Sequence, residues 1–192
     1  MNEKEQLELK LNTPQIVHMK VGPQILEHLS KGIYSNPSYA IKELINNAYD
    51  AEAKNVTIRA KPEFDTFSIT DDGEGMNYEE FTNRFLWISR SGRRDEGFLT
   101  KNLKRPIIGK FGIGFIAVSE ICNKMTIISS KEDEDFKFEA EIDFRKFKKS
   151  LPKEKEFYEL SEVKFTNKPE GSKEHYTIIV LTELAKGFKE LL

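Results

Sequence analysis

The chain has 192 residues, a net charge of −2 and a single cysteine, Cys122. That length suits one domain with a real hydrophobic core, the near-neutral charge demands neither nucleic acid nor an anionic membrane as partner, and a lone thiol excludes a disulfide framework or thiolate metal site within one chain. No apolar run approaches the ~20 residues that cross a bilayer, and the polar start MNEKEQLELK is no signal peptide, so the expected setting is cytoplasmic without a membrane partner.

Residues 40–53, which contain IKELINNAYDA, have helical apolar spacing, with Ile41, Leu44, Ile45 and Ala48 on one face. Glu43, Asn47 and Asp50 fall together on roughly the opposite one. A surface helix with its polar side in solvent shows the same pattern, so a functional face and a solvated face both stand on this segment alone. NVTIRAK and FDTFSIT follow as two strands that pair in a hairpin through the turn near Pro62. DDGEGM comes directly after. Gly73 and Gly75 allow backbone to approach a flat ligand, and Asp71 can accept a hydrogen bond from an exocyclic amine. An ordinary strand-to-helix turn uses the same residue types.

From residue 89 to residue 105 the chain is rich in Arg, Lys, Ser and Gly, lacks a sustained apolar period and reads as a loop. Arg90, Arg93, Arg94, Lys101, Lys104 and Arg105 face only Asp95 and Glu96 there, a balance suited to a polyphosphate or to a solvated basic loop. A loop of this length inside a compact domain is more often functional than accidental. GKFGIGF, residues 109–115, then opens a second apolar helical run, FIAVSEIC, in which Cys122 is expected to be a buried small hydrophobe. Gly109, Gly112 and Gly114 leave backbone N–H groups unobstructed at a helix start, where those groups and the helix dipole favour phosphate, and Lys110 is the best single cation for a phosphate contact. The run is neither a dinucleotide fingerprint, since no βαβ unit surrounds it, nor a P-loop, since no Lys-Ser/Thr pair ends it.

KMTIISS and FKFEAEID form another strand pair through the charged KEDED turn, with Phe136, Phe138, Ala140 and Ile142 alternating with Lys137, Glu139, Glu141 and Asp143. Residues 144–158 are strongly charged and form either a loop or an extra strand pair. Thr177 opens the apolar strand TIIVL, and the chain ends in the helical-looking TELAKGFKELL. His18, His28 and His175 are scattered without ligand spacing and receive no metal. These elements predict an α+β fold, a two-layer sandwich of a mixed, mostly antiparallel sheet with helices on one face.

The order of three segments, ExxxNxxDA on a helix, then DxGxG, then GxxGxG, resembles the GHKL superfamily of ATPases. That group includes type II topoisomerases, ninety-kilodalton heat-shock chaperones, sensor histidine kinases, MutL mismatch-repair proteins and MORC proteins, and its ATP-binding fold is the Bergerat fold. The resemblance runs from about Gln24 to about Leu181 and implies a single ATP-binding domain over residues 1–192, with residues 89–108 as the lid that closes over ATP. Glu43 matches the acid that activates the attacking water, and Asn47 the amide whose oxygen binds Mg²⁺. Asp50 matches a polar position lining the nucleotide pocket. Asp71 matches the acid that reads the adenine amino group, with Gly73 and Gly75 letting the base come close, and Met76 is then an apolar wall against the base or, equally, a core methionine. Gly109, Lys110, Phe111, Gly112, Ile113 and Gly114 match the phosphate loop. Thr177 stands where the superfamily has Gly-Thr; its hydroxyl either reinforces the adenine contact or belongs to a plain β-branched strand residue. Tyr176 replaces that Gly and puts the local backbone in question.

The resemblance implies an ATP-binding, Mg²⁺-dependent ATPase whose lid and dimer state follow ATP or ADP, with a nucleotide-dependent homodimer as the expected assembly. Its lid and ExxxNxxDA helix look nearest to the MORC-like, chaperone-like and MutL-like hydrolysing branches. A histidine-kinase-type phosphotransfer domain and a non-catalytic ATP-sensing interaction domain are the alternatives. The acid at Glu43 and the lack of a phosphoacceptor helix speak against the first of these. Hydrolysing relatives of the chaperone and MutL type take a catalytic Lys or Arg from a following domain, so the chain reads either as the N-terminal part of a longer protein with a downstream domain, the preferred reading, or as a slow, stand-alone nucleotide switch. No protein or nucleic-acid client is indicated.

Overall fold

Alternation of apolar and polar residues builds most of the molecule, because successive strand side chains point to opposite faces of a sheet. The computed structural model describes residues 11–21, 37–88, 98–109, 114–147, 158–169 and 173–192. Its strands are β1 (Gln15–Val21), β2 (Val56–Lys61), β3 (Thr66–Asp71), β4 (Trp87–Ile88), β5 (Cys122–Ser130), β6 (Phe136–Asp143), β7 (Tyr158–Pro169) and β8 (Tyr176–Leu184). They form one 8-stranded sheet in the order β2-β3-β8-β5-β6-β7-β1-β4. Every neighbouring pair is antiparallel except β1 with β4. The expected hairpin of NVTIRAK with FDTFSIT is present, turning through a 3₁₀ turn at Pro62–Phe64, and so is that of KMTIISS with FKFEAEID.

One face of the sheet carries the core. In cross-strand rows, Phe67 pairs with Leu181 and Leu181 with Met125; one rung on, Ile69 pairs with Ile179 and Ile179 with Ile127. All six are buried. The helix α1 (Pro37–Asp50) packs on that side through Ala40, Leu44 and Ala48. A second helical segment begins at α2 (Tyr78–Glu80) and continues as a π turn at Phe81–Phe85. Its start is fixed by a capping box in which Asn77 and Glu80 each accept the other's backbone N–H, at 2.9 and 3.1 Å. Phe81 then packs on Phe138 and Phe165, with ring centroids 4.7 and 5.8 Å away. Among the described residues no helix is long and apolar enough to cross a membrane.

Three local expectations are corrected. Ile45 does not join the buried stripe; it is 37% exposed, because the contact centres on Ala40, Leu44 and Ala48, whose two alanines let the helix approach the sheet closely. At about 100° per residue, Glu43, Asn47 and Asp50 therefore flank that stripe rather than oppose it. The run FIAVSEIC is not one helix. Gly114–Glu120 is a 3₁₀ helix, and Cys122 is the first residue of β5, buried all the same. The C-terminal TELAKGFKELL holds only one helical turn, α3 (Lys186–Lys189), because its first residues Thr182–Leu184 are the end of β8. Of the stretch 144–158, Phe144–Lys146 is a 3₁₀ turn and Tyr158 opens β7, while residues 148–157 lie outside the described residues.

Candidate functional site

One rung beyond the row of isoleucines the inward positions turn polar. Asp71 pairs across the ladder with Thr177, and Thr177 with Ser129. The same alternation that fills the core thus points a carboxyl and two hydroxyls into the sandwich at the end of three adjacent strands. All three are nearly enclosed, at 6%, 7% and 0% exposure. Above them, between the sheet and α1, lies a cavity of about 730 Å³. It is lined by Asn47, Ala48, Asp50 and Ala51 from the helix and the turn after it, by Asp71, Glu74, Gly75 and Met76, by Thr177 and Ile179, and by Phe98, Ile107 and Gly109. Glu80, Arg84 and Phe85 add a further wall.

The structure thereby brings Asn47, Asp50, Asp71, Gly75, Met76, Gly109 and Thr177 around one space. Met76 is both things expected of it, a cavity wall and a partner of the core. Glu43 is half-buried one turn before Asn47 and does not line the cavity. Lys110, Phe111, Gly112 and Ile113 lie outside the described residues, as do residues 89–97 of the expected lid; Gly114 opens the 3₁₀ helix.

Burial holds the Asp71 carboxyl above its ordinary 3.8, at about 6, against the lowering effect of the Gly73 N–H, which its Oδ1 accepts at 3.0 Å. The adjacent Asp72 behaves oppositely. The backbone N–H of Asn55, the Asn55 amide and the Lys54 N–H all donate to it and hold it at about 2. One of two neighbouring acids is therefore spent on the loop after α1, and the other is left facing the cavity.

The glycines serve this geometry in a way the sequence did not indicate. A Cβ at Gly75, whose φ is +65°, would stand 1.8 Å from the Ser130 carbonyl oxygen, and one at Gly73 would stand 2.7 Å from the Ala51 carbonyl oxygen. The room they provide is occupied by the protein's own backbone, which draws the loop onto β5 and the end of α1.

The segment 98–109 closes the other end. It is not a featureless loop: Leu99 bridges Pro106, Thr100 N donates to Arg105 O at 2.8 Å, and Ile107 N to Phe98 O at 2.9 Å. Two carboxylates after and at the end of α1 hold this hairpin. Glu52 accepts the N–H groups of Asn102 and Leu103 at 2.7 and 2.6 Å, and Asp50 accepts those of Ile108 and Gly109 at 2.9 and 2.8 Å. Burial opposes ionisation of Glu52, yet the donors from Thr100, Leu103 and Asn102 outweigh it and keep the carboxyl below the usual glutamate range. Glu52 sits at φ 62°, a conformation that costs a non-glycine residue energy. Arg105 is committed to the same junction, donating to the Ala53 carbonyl at 2.8 Å and lying over the Tyr49 ring. Lys101 and Lys104 are exposed.

Residues 34–177 match the family described as histidine kinase-, DNA gyrase B- and HSP90-like ATPases. The chain belongs to that family. Similar proteins include a putative type II restriction enzyme, HgiDII, of Herpetosiphon aurantiacus, 36% identical over 56% of this chain and 17% of that protein. The chaperone protein HtpG of Sulfurovum sp. is 30% identical over 58% of this chain and 22% of its own, and that of Rhodococcus jostii 28% over 68% and 22%. The chain thus spans 17 to 22% of the length of these relatives.

Sequence reasoning missed Ser129, Glu52 and Glu74, which accepts from the Asn102 amide at 2.6 Å. For Ser129 a signal existed: in KMTIISS it continues the inward series Met125, Ile127. For the two glutamates there was none, because their partners are some 28 to 51 residues away.

Proposed function

We propose that this chain binds ATP with Mg²⁺ in the cavity between α1 and the sheet and hydrolyses it, acting as a nucleotide-driven conformational and dimerisation switch within a longer protein. The observation that carries the reading is the convergence of Asp71 and Thr177 on one wall with Asn47 on the other, around a space of about 730 Å³. A cavity of that size suits a nucleotide. In this reading the Asp71 carboxyl accepts from the adenine amine, Thr177 supports it, and Met76 and Ile179 flank the base.

The donor set fits a magnesium ion held mainly by its substrate. Among the described residues no group of three acid, histidine or cysteine side chains gathers as a metal cage. Mg²⁺ retains water and phosphate oxygens and needs only one or two protein oxygens, which the Asn47 amide at the cavity wall would supply. When bound, the ion neutralises phosphate charge. In this reading Glu43, one turn before Asn47 on the same flank of α1 and outside the cavity lining, takes the proton of a water that enters from that side.

Gly109 opens the expected phosphate loop, and Asp50 occupies its N–H. A terminal phosphate competing for that amide would loosen residues 108–109 from α1, linking nucleotide state to the hairpin at 98–109. The resemblance to HtpG at 30% identity favours the hydrolysing branches over phosphotransfer to a protein histidine.

The test is turnover with nucleotide binding measured alongside. Glu43→Ala should leave ATP affinity within about threefold and abolish phosphate release in the full-length protein, because a base for water contributes little to ground-state binding. Asn47→Ala should weaken Mg²⁺-dependent binding instead. Native-rate phosphate release by Glu43→Ala would require another base, and nucleotide binding without any release by the native full-length protein would leave an ATP-sensing domain.

A further inference from the structure

The row Asp71–Thr177–Ser129 contains a proton count that settles which way the Thr177 hydroxyl points. Ser129 Oγ has one proton to give and two lone pairs. It lies 2.9 Å from the Met76 N–H, which can only donate to it, and 3.0 Å from the Tyr176 carbonyl oxygen, which can only accept from it. Its single proton is therefore used on Tyr176. The remaining contact, 3.1 Å to Thr177 Oγ1, then requires Thr177 to be the donor. With its own proton turned toward Ser129, Thr177 presents lone pairs alone to the cavity it lines. Asp71 beside it, when ionised, is likewise an acceptor.

We infer that Ser129, which is fully buried and does not line the cavity, is a positioning residue for base selectivity: by consuming the Thr177 proton it makes this wall accept hydrogen bonds only. The inference rests on the reading of this wall as the adenine end of the site. An acceptor-only wall suits the 6-amino group of adenine, a donor. Hypoxanthine offers the reverse at C6, a carbonyl acceptor in place of the donor amine, and a buried site built for one polarity rejects the other strongly. Inosine lacks the 2-amino group of guanosine, so the comparison isolates polarity from bulk.

The experiment is calorimetric titration of ADP and IDP into the native protein and its variants. The native protein should prefer ADP. Ser129→Ala releases the Thr177 proton to turn into the cavity, and the ADP-over-IDP ratio should fall about tenfold, with IDP affinity itself rising. Ser129→Thr keeps the hydroxyl and should keep the ratio within about twofold of native. Thr177→Val preserves shape and removes the acceptor; it should weaken ADP about fivefold and leave IDP unchanged, which decides the matter even if Ser129→Ala does not fold. A loss of ADP and IDP affinity by the same factor in Ser129→Ala or Thr177→Val overturns the inference and leaves Ser129 a packing residue. Failure of the native protein to bind ADP at all overturns the adenine reading as well, a result that an unchanged ratio could not give.

Discussion

At one end of the cavity Asp71, Thr177 and Ser129 stand on β3, β8 and β5, where continuous backbone ladders fix their spacing; at the other, Ile107 and Gly109 belong to a hairpin held to α1 chiefly by Glu52 and Asp50. The first end cannot shift without breaking the sheet. The second is attached by side-chain-to-backbone bonds, with Phe98, Leu99, Leu103 and Ile108 all largely exposed. Few buried apolar contacts and exposed backbone bonds are the marks of a region that opens locally well below the cost of global unfolding. Under the proposed function the molecule joins a rigid reader to an adjustable clamp across one space, and the following substitutions would break or sharpen that contrast.

The largest effect is expected from two glycines. Gly75→Ala would drive a Cβ into the Ser130 backbone carbonyl at a positive φ, and about 3 kcal/mol or more of stability should be lost. Gly109→Ala meets only the Asp50 carboxylate oxygen, at 2.7 Å, the end of a side chain that can turn away; the loss should stay under about 1 kcal/mol. Thermal unfolding measures both. Equal losses would mean that the clamp is as rigid as the reader.

Next comes the acid of the reader. Asp71→Asn should weaken ADP about a hundredfold in a binding titration, since an amide donor would meet the donor amine of the base. The same variant should not lose stability at pH 7. Holding the carboxyl ionised in its buried position costs roughly 3 kcal/mol for a shift from 3.8 to about 6, and the neutral amide avoids that cost while still accepting from Gly73. A variant that melts early would assign Asp71 to the scaffold.

A smaller effect follows from pH. Because the folded-state value is raised, the native chain binds a proton between about 6 and the ordinary 3.8 that the unfolded chain does not, so Asp71 adds stability as pH falls through that window and loses it as pH rises. Asp72, held at about 2, contributes stability that is present above the ordinary 3.8 and is lost as pH falls through about 2. From pH 7 to pH 5, ADP affinity should therefore drop about tenfold through Asp71 while these two acids do not lower the melting temperature. The slope should vanish in Asp71→Asn; a slope that persisted there would come from another group.

The smallest effect concerns the clamp. Glu52→Gln should lower hydrogen-exchange protection of the Asn102 and Leu103 amides severalfold, leaving the amides of β3, β5 and β8 unchanged. Loss of protection in those strands would show the hairpin to be part of the sheet's cooperative unit.

How much of this was legible before folding depends on the range of the forces involved. The hairpins were readable because alternation and turn residues are local. The family was readable because its three motifs keep their order, and Asn47, Asp50, Asp71, Gly75, Met76 and Gly109 from those segments line one cavity with Thr177. The overextended helix at FIAVSEIC failed because an apolar run of that length carries no sign of whether it buries as helix or strand. The loop reading of the second half of the expected lid says nothing of its internal order, since the bonds that order residues 98–109 come largely from Glu52 and Asp50, half a hundred residues upstream.

The sequence by itself determined where strands alternate, which face of each is apolar, and that a carboxyl and a hydroxyl, Asp71 and Thr177, end up at strand positions that continue an apolar series. Those are properties of nearest neighbours along the chain. Only the tertiary structure decided that β3, β8 and β5 lie side by side in a register that sets Asp71, Thr177 and Ser129 in one row, that Gly75 is required by the Ser130 carbonyl, and that α1 shows its acid and amide beside its buried stripe. Register and packing are fixed by the closing of long loops onto a shared core, and no local pattern records which distant residue will be found there.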